Sequence, residues 1–333
     1  MKVGVFLGSQ HPPEADIRHE FEDSVEQTRT IRDAGFDSFW LGQHYLTYPN
    51  QFLQTTPLLA RLAAETGDMM IGTNMILLPL HNVVDIAEQY ATMDVISGGR
   101  LILGIGLGYR EIEFESMGVD RKTRVPRFEE QIAALKLLWE GDDVSFEGEH
   151  VRFNNLSIRP KPLQKPRPEI WIGATADPAV KRAARLADAW AGSSVPTFSE
   201  IKRQLPIYHA AREDAGLPPP KEIARNVEVF VAETREQAWE EGGQYIAKKF
   251  ETYFSWGMDK NTGDDGNAEM SIEDLANDRF IVGDPEDCIR GCLEHRDVGI
   301  THLQIRLNFP GIPHDSVMKA LKLFGKEVLP HLR

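Results

Sequence analysis

Cysteine is scarce in this chain: its 333 residues contain two, Cys288 and Cys292. Four positions apart in a segment of helical period, they share one helix face, where the backbone holds them against bridging. Reduced core thiols are expected instead of a disulfide framework or a metal site. Long apolar runs are also lacking; none reaches the ~18 residues of a membrane span. The amino terminus, with one lysine before a short strand pattern, does not read as a signal peptide. Nor is there a basic excess. With 37 Lys and Arg against 51 Asp and Glu the net charge is −14, which disfavours nucleic acid and anionic membranes as partners. A cytoplasmic protein acting on a small molecule is expected, and any anionic ligand needs a local trap.

What the chain does have is alternation. Short apolar runs at Lys2 to Leu7, Phe36 to Leu41, Met69 to Leu78, Arg100 to Leu107, Pro168 to Gly173, Asp188 to Ser193, Val227 to Ala232 and His302 to Asn308 read as strands. Between them lie segments of helical period, such as Ile86, Tyr90 and Met93, or Ile132, Leu135 and Trp139 after a start at Pro126. Strands separated by helix-length segments are parallel, and eight such units close most naturally into a (β/α)8 TIM-like barrel, with an open doubly wound sheet as the rival. Residues 1–333 are expected to form one domain. Two insertions interrupt it, after strands four and seven. Residues 141–167 read as a β-hairpin around Gly148, and residues 257–278, rich in Asp, Glu, Asn and Gly, form a loop that is either a solvated excursion or a lid over the site.

Parallel α/β folds place their chemistry just past the carboxyl ends of the strands. The second strand ends there in Gly42-Gln43-His44, so His44 either serves catalysis or bonds a neighbouring loop carbonyl. In the fourth strand Gly104, Gly106 and Gly108 share one face by the period of two, opening a slot in which a planar ligand can lie against backbone. Their spacing lacks the third glycine and helix context of a dinucleotide fingerprint. Asn74, an amide in an otherwise apolar strand, must bond backbone or meet a polar ligand. After strand five, Gly173-Ala174-Thr175-Ala176 leads into a helix whose start offers backbone N–H groups to an anion, unless Asp177 or Thr175 simply caps it with Pro178 at the first position. His11, His44 and His81 follow the first three strands, which keeps a barrel metal hydrolase as an alternative; however, no His-x-His motif is present and strand eight ends in Asn308-Phe309-Pro310, without a carboxylate, so no metal is expected. Ser193-Ser194 lacks a nucleophile elbow.

In their order and spacing Phe39-Trp40-Leu41-Gly42-Gln43-His44, Gly72-Thr73-Asn74-Met75, Gly99-Arg100-Leu101-Ile102-Leu103-Gly104-Ile105-Gly106 and Trp171-Ile172-Gly173-Ala174-Thr175 resemble the bacterial luciferase-like flavin monooxygenases. Asp278 to Asp287 and Arg306 to Gly311 look like its short, single-chain members, so the similarity spans the chain. The resemblance implies a barrel using reduced FMN as co-substrate, or coenzyme F420 in some relatives, and a two-component monooxygenase fed by a separate flavin reductase. The alternatives are an F420-dependent hydride transferase or a non-catalytic flavin-binding protein. A homodimer is also implied. His44 matches the catalytic histidine, and the Asn74–Met75 peptide matches a cis bond beneath the flavin ring. Gly173, Ala174 and Thr175 fall at the phosphate, Ser193 and Gly106 beside the ring, and Tyr109 in the pocket. Two departures stand out. Gln43 replaces a frequent glutamate, and Gly106-Leu107 replaces a Cys-Arg pair, so the group neutralising the phosphate is unidentified.

Overall fold

The computed structural model describes residues 1–258 and 272–333. Eight parallel strands form its centre: β1 (Lys2–Leu7), β2 (Ser38–Leu41), β3 (Met70–Thr73), β4 (Leu101–Gly106), β5 (Glu169–Ala174), β6 (Ala189–Gly192), β7 (Ile223–Val231) and β8 (His302–Arg306). Neighbours pair in sequence order, β8 pairs with β1, and the β4–β5 pairing closes the ring. The barrel expected from the alternation is therefore the one formed. Helices alternate with the strands around the barrel. The helix Ile17–Asp33 starts where Asp16 accepts from the Arg18 and His19 amides, and Asn82 caps Val83–Ile96 through the Val84 amide.

Inside the barrel the period of two sorts side chains into layers. Trp40 and Trp171, with ring centroids 5.0 Å apart, form a plug with Ile102, Ala189 and Ala224. His302 meets both indoles edge-on and bonds Ser38 Oγ through Nε2 at 2.7 Å. Gly72 makes room for the Trp40 ring, which a Cβ there would strike. Above this plug the inward positions become small or polar: Gly8, Gly42, Gly106, Gly173, Ser193, Glu228 and Arg306. A barrel filled below and emptied above has its cavity at the carboxyl ends of the strands.

Three elements differ from the sequence reading. The apolar run Met69 to Leu78 is not one strand: β3 stops at Thr73, the Asn74–Met75 peptide is cis, and Ile76–Leu77 rejoins the barrel beside Ile105 and Gly106. The seventh strand starts at Ile223, four residues before the apolar run, because Asn226 and Arg225 interrupt the pattern without breaking the ladder. After β7 the chain forms a helical stretch, including Gln244–Ser255, before a short strand, Ile281–Gly283, pairs with β7. The hairpin of the first insertion is present as Val144–Glu147 against Arg152–Leu156. Of the expected 257–278 loop, all but its ends lie outside the described residues. Cys288 and Cys292 are buried free thiols on the helix Pro285–Asp297.

Candidate active site

One cavity of about 340 Å³ opens at the carboxyl end of the barrel, and every candidate residue lines it: His44, Asn74, Met75, Gly106, Tyr109, Gly173, Ala174, Thr175 and Ser193. They come from the ends of five strands, β2 to β6, which only barrel closure brings together.

His44 follows β2 through Gly42, a position where a Cβ would lie 2.8 Å from both Asn74 O and the Phe6 ring. Its Nδ1 lies 3.1 Å from Oε1 of Glu113, on the short helix Glu111–Ser116. The same oxygen accepts the Tyr45 amide at 2.9 Å and the Arg110 guanidinium at 3.4 Å. A carboxylate accepts, so the imidazole Nδ1–H donates, leaving Nε2 to the cavity. Four aromatic rings surround the imidazole, those of Phe52, Tyr109, Tyr253 and Trp256, at centroid distances of 5.3–6.1 Å. Arg110 is held from above by Trp256, 4.1 Å from its Cζ, and from below by the Tyr45 and Leu46 carbonyls. Of the two readings of His44, the loop-carbonyl bond is not the one observed: its ring partner is a buried carboxylate.

Gln43 has a different task from its neighbour. Its Oε1 accepts the Leu77 amide at 3.0 Å and lies 3.1 Å from His81 Nε2, while its Nε2 donates to the Tyr45 hydroxyl. It ties the loops after β2 and β3 together as a neutral amide. Burial lowers the His81 pKa, which suits that neutral surrounding. His11 pairs instead with Glu20 at 2.8 Å. The three histidines that follow the first strands thus have three separate partners, and no cluster of metal ligands is found among the described residues.

The glycine face is not an open slot. Met75 lies on it: a Cβ at Gly106 would be 3.2 Å from Met75 Cβ, one at Gly173 would be 2.8 Å from its Cγ, and one at Gly104 would collide with Thr73 O. The glycines admit the thioether, and Met75 then presents an apolar shelf to the cavity. Asn74 donates to Gln304 Oε1 at 2.7 Å across the barrel, so its partner is a side chain, not neighbouring backbone. Beside it, among the described residues, Gln304 Nε2 and Asn226 Oδ1 are buried without partners, although their residues are directly opposite on β7 and β8. The Tyr109 hydroxyl is likewise unpartnered, and burial pushes its pKa well up. Such groups are costly to leave empty-handed, by about 1–3 kcal/mol each, and fit a ligand with both donors and acceptors along one edge.

At the β5 end, the helix Asp177–Leu186 begins after Ala176, which provides no side-chain cap. Neither Asp177 nor Thr175 caps it as one reading expected, and Pro178 is the second helical residue. The Asp177 carboxylate turns away, bonding Arg203 at 2.5 and 3.1 Å and Gln204 Nε2 at 3.1 Å. It therefore does not fill the donors at the helix start. Arg124 lines the cavity beside Ala176 and Ala179, forms no ion pair among the described residues, and has a buried Nε without a partner. Burial, then Arg121, lowers its pKa.

Sequence reasoning missed several residues of the cavity wall and of the layer around His44. Glu113 and Arg110 lie in the stretch between Gly108 and Val125, which has no clear period, and Tyr253 belongs to an ordinary amphipathic helix that Trp256 caps. Lys249 and Glu228, both buried, form an ion pair inside the cavity, and Ser194 Oγ donates to Glu228 at 2.8 Å. A signal for Glu228 was available: it is a charge within Val227-Glu228-Val229, on the same strand face as Asn226.

Residues 1–302 match the family model described as luciferase-like monooxygenase. An FMNH2-dependent dimethylsulfone monooxygenase of Pseudomonas putida is 32% identical over 263 residues, covering 74% of this chain and 70% of that protein. An F420-dependent glucose-6-phosphate dehydrogenase of Amycolatopsis mediterranei is 26% identical and covers 93% of this chain and 94% of its own. Among solved structures, monooxygenase RslO1 from Streptomyces bottropensis superimposes with a TM-score of 0.89 at 24% identity, with both chains covered completely. The barrel, the cavity at its carboxyl end and these matches lead to one assignment: the chain belongs to the luciferase-like monooxygenase family.

Proposed function

We propose that this protein is the oxygenase of a two-component system, taking reduced FMN from a separate flavin reductase and using it with O2 on a small organic substrate. That it is a flavin-dependent oxidoreductase follows from its family and its relatives. The finer reading rests chiefly on one observation: His44, braced by Glu113, directs Nε2 into the same cavity that Met75 floors with an apolar shelf.

The residues fit the cofactor. An isoalloxazine has broad apolar faces and one edge of alternating N–H and C=O groups. Met75 and Ala191 suit the faces, and the unpartnered Gln304 Nε2, Asn226 Oδ1 and Tyr109 hydroxyl suit the polar edge. Gly106 and Ser193 would flank the ring. Gly173, Ala174 and Thr175 would approach the phosphate through backbone, with Arg124 supplying the charge. Bound reduced FMN supplies the electrons that activate O2. His44 Nε2 accepts or returns a proton at the reacting centre, and Glu113 stabilises the imidazolium while that proton is held. Phe52, Tyr109, Tyr253 and Trp256 exclude water around it, strengthening both interactions. We further propose a cytoplasmic homodimer.

The experiment is to mix the protein with reduced FMN without oxygen, add O2, and follow the return of oxidised-flavin absorbance. The proposal requires that the protein slow this return relative to free FMNH2, and that His44→Ala change the rate without abolishing binding. Identical kinetics with and without protein would refute it. A second reading, F420-dependent hydride transfer, is kept because the A. mediterranei relative matches over nearly the whole chain.

A further inference from the structure

The cavity has a second cationic pole. Arg306 ends β8, four strands around the barrel from β4 and so across the cavity from Arg124. It is 3% exposed, lines the cavity, and forms no ion pair among the described residues. Its guanidinium lies against Phe6, 5.1 Å from the ring centroid, with Phe309 at 6.0 Å. Nε donates to Asn308 O at 3.1 Å, and Asn308 in turn accepts the Gly8 amide at 2.6 Å and donates to Gly8 O at 3.2 Å. Gly8 is needed there, because a Cβ would sit 2.7 Å from Arg306 Nη2. The side chain is thus fixed in place by stacking and by the β1 and β8 ends, while its Nη groups make no hydrogen bond among the described residues.

The neighbouring charges determine what it can take. Glu228 is directly opposite Arg306 in the strand register, but its charge is met by Lys249 and its Oε1 by Ser194. Among the described residues Lys249 and Glu228 cancel, and Arg306 leaves this side of the cavity with one net positive charge. A buried guanidinium without a counter-ion is costly, and its planar fork matches a carboxylate or sulfonate through two parallel hydrogen bonds. We infer that Arg306 holds the substrate, and that the substrate is a small organic monoanion with a carboxylate or sulfonate head. Arg124 and the β5 end serve the cofactor phosphate, and the two poles orient cofactor and substrate from opposite walls. This assignment rests on the flavin reading given above.

Thermal unfolding of the full chain, free and FMN-saturated, is measured against rising butyrate, propane-1-sulfonate, inorganic phosphate and the neutral butyramide. Butyrate and propane-1-sulfonate are expected to raise the midpoint saturably, with butyramide without effect. Arg306→Gln should weaken butyrate at least 10-fold while changing FMN affinity less than 2-fold. Gly8→Ala, which displaces the guanidinium but keeps its charge, should weaken butyrate too and serves if Arg306→Gln folds poorly. Equal effects of butyrate and butyramide, or tighter binding of phosphate than of butyrate, would overturn the inference. So would an Arg306→Gln variant that loses FMN and butyrate together, since that assigns Arg306 to the cofactor. Arg306-dependent butyrate binding in a protein that takes no flavin would leave this inference standing and remove the flavin reading.

Discussion

His44 Nδ1 and Glu113 Oε1 are 3.1 Å apart, and Glu113 is fully buried. The carboxylate is held by the Tyr45 amide and by Arg110, so it sets both the tautomer and the angle of the imidazole. The imidazole that faces the cavity is therefore positioned by two loops, one after β2 and one after β4.

Replacing His44 by Ala is expected to lower oxygen-coupled product formation by about 10²- to 10⁴-fold, the usual worth of a positioned acid–base group. FMN affinity should change little, because the Met75 shelf and the β5 end are untouched. Glu113→Gln tests positioning separately. It should retain flavin binding and lower turnover, because the imidazole loses the carboxylate that fixes its tautomer and angle. Normal turnover would show that Glu113 only supports the loop.

Met75 and the glycines beneath it form a single packing unit. Gly104→Ala places a methyl against Thr73 O and Met75 Sδ, where backbone cannot yield easily. A loss of ~1–3 kcal/mol is expected from overpacking, measured by urea unfolding. Gly98→Ala is not an equivalent control, since its φ of +69° is itself unfavourable for alanine. Ala60→Gly, on the half-buried side of a helix, provides the comparison instead.

Burial lowers Lys249 to about 8, beside Glu228 and Arg306 and under the Tyr253 ring. The unfolded chain keeps this lysine protonated up to its ordinary value, so between about pH 8 and pH 10.5 it binds more protons than the folded protein. Stability contributed by this site should rise with pH across that window. Wild type is therefore expected to gain on Lys249→Met between pH 8 and 10.5 in chemical unfolding. Glu228→Gln, which strands the ammonium, should cost about 3–5 kcal/mol near neutrality, and adding Lys249→Met should recover part of it.

His302, buried among Trp40, Trp171 and Ser38, is lowered by burial to about 4, and His295 to about 3. Both stay neutral in the folded protein while the unfolded chain takes up protons below pH 6.5. Stability should fall as pH drops from 6.5 toward 4, by up to about 3 kcal/mol for His302. His302→Asn should flatten that part of the pH–stability curve.

The alternation of apolar runs and helical segments was enough to read the barrel, because each βα unit carries its own periodicity. The same period predicted that Gly104 and Gly106 share a face, but not that Met75 would cover it. That requires the break after Thr73, which an uninterrupted apolar run hides. His44 and the Gly173 turn follow strand ends and were legible for that reason; Asn74 stood out as an amide within an apolar run, and Tyr109 was indicated only by the family resemblance. Glu113, Lys249 and Trp256 come from helices whose spacing looks ordinary. Lys249 reaches the cavity, and Glu113 and Trp256 reach His44, only through barrel closure and loop packing, which no local pattern encodes. Arg124 is equally hidden, since its importance depends on Asp177 turning to Arg203.

The most direct test of the central claim is anaerobic titration of the protein with FMNH2 and, separately, with reduced F420, followed by intrinsic tryptophan fluorescence with Arg124→Gln alongside. The account predicts saturable binding of FMNH2 that is tighter than that of F420 and is weakened at least 10-fold by Arg124→Gln. Binding of F420 alone, or FMNH2 binding indifferent to Arg124, would contradict it.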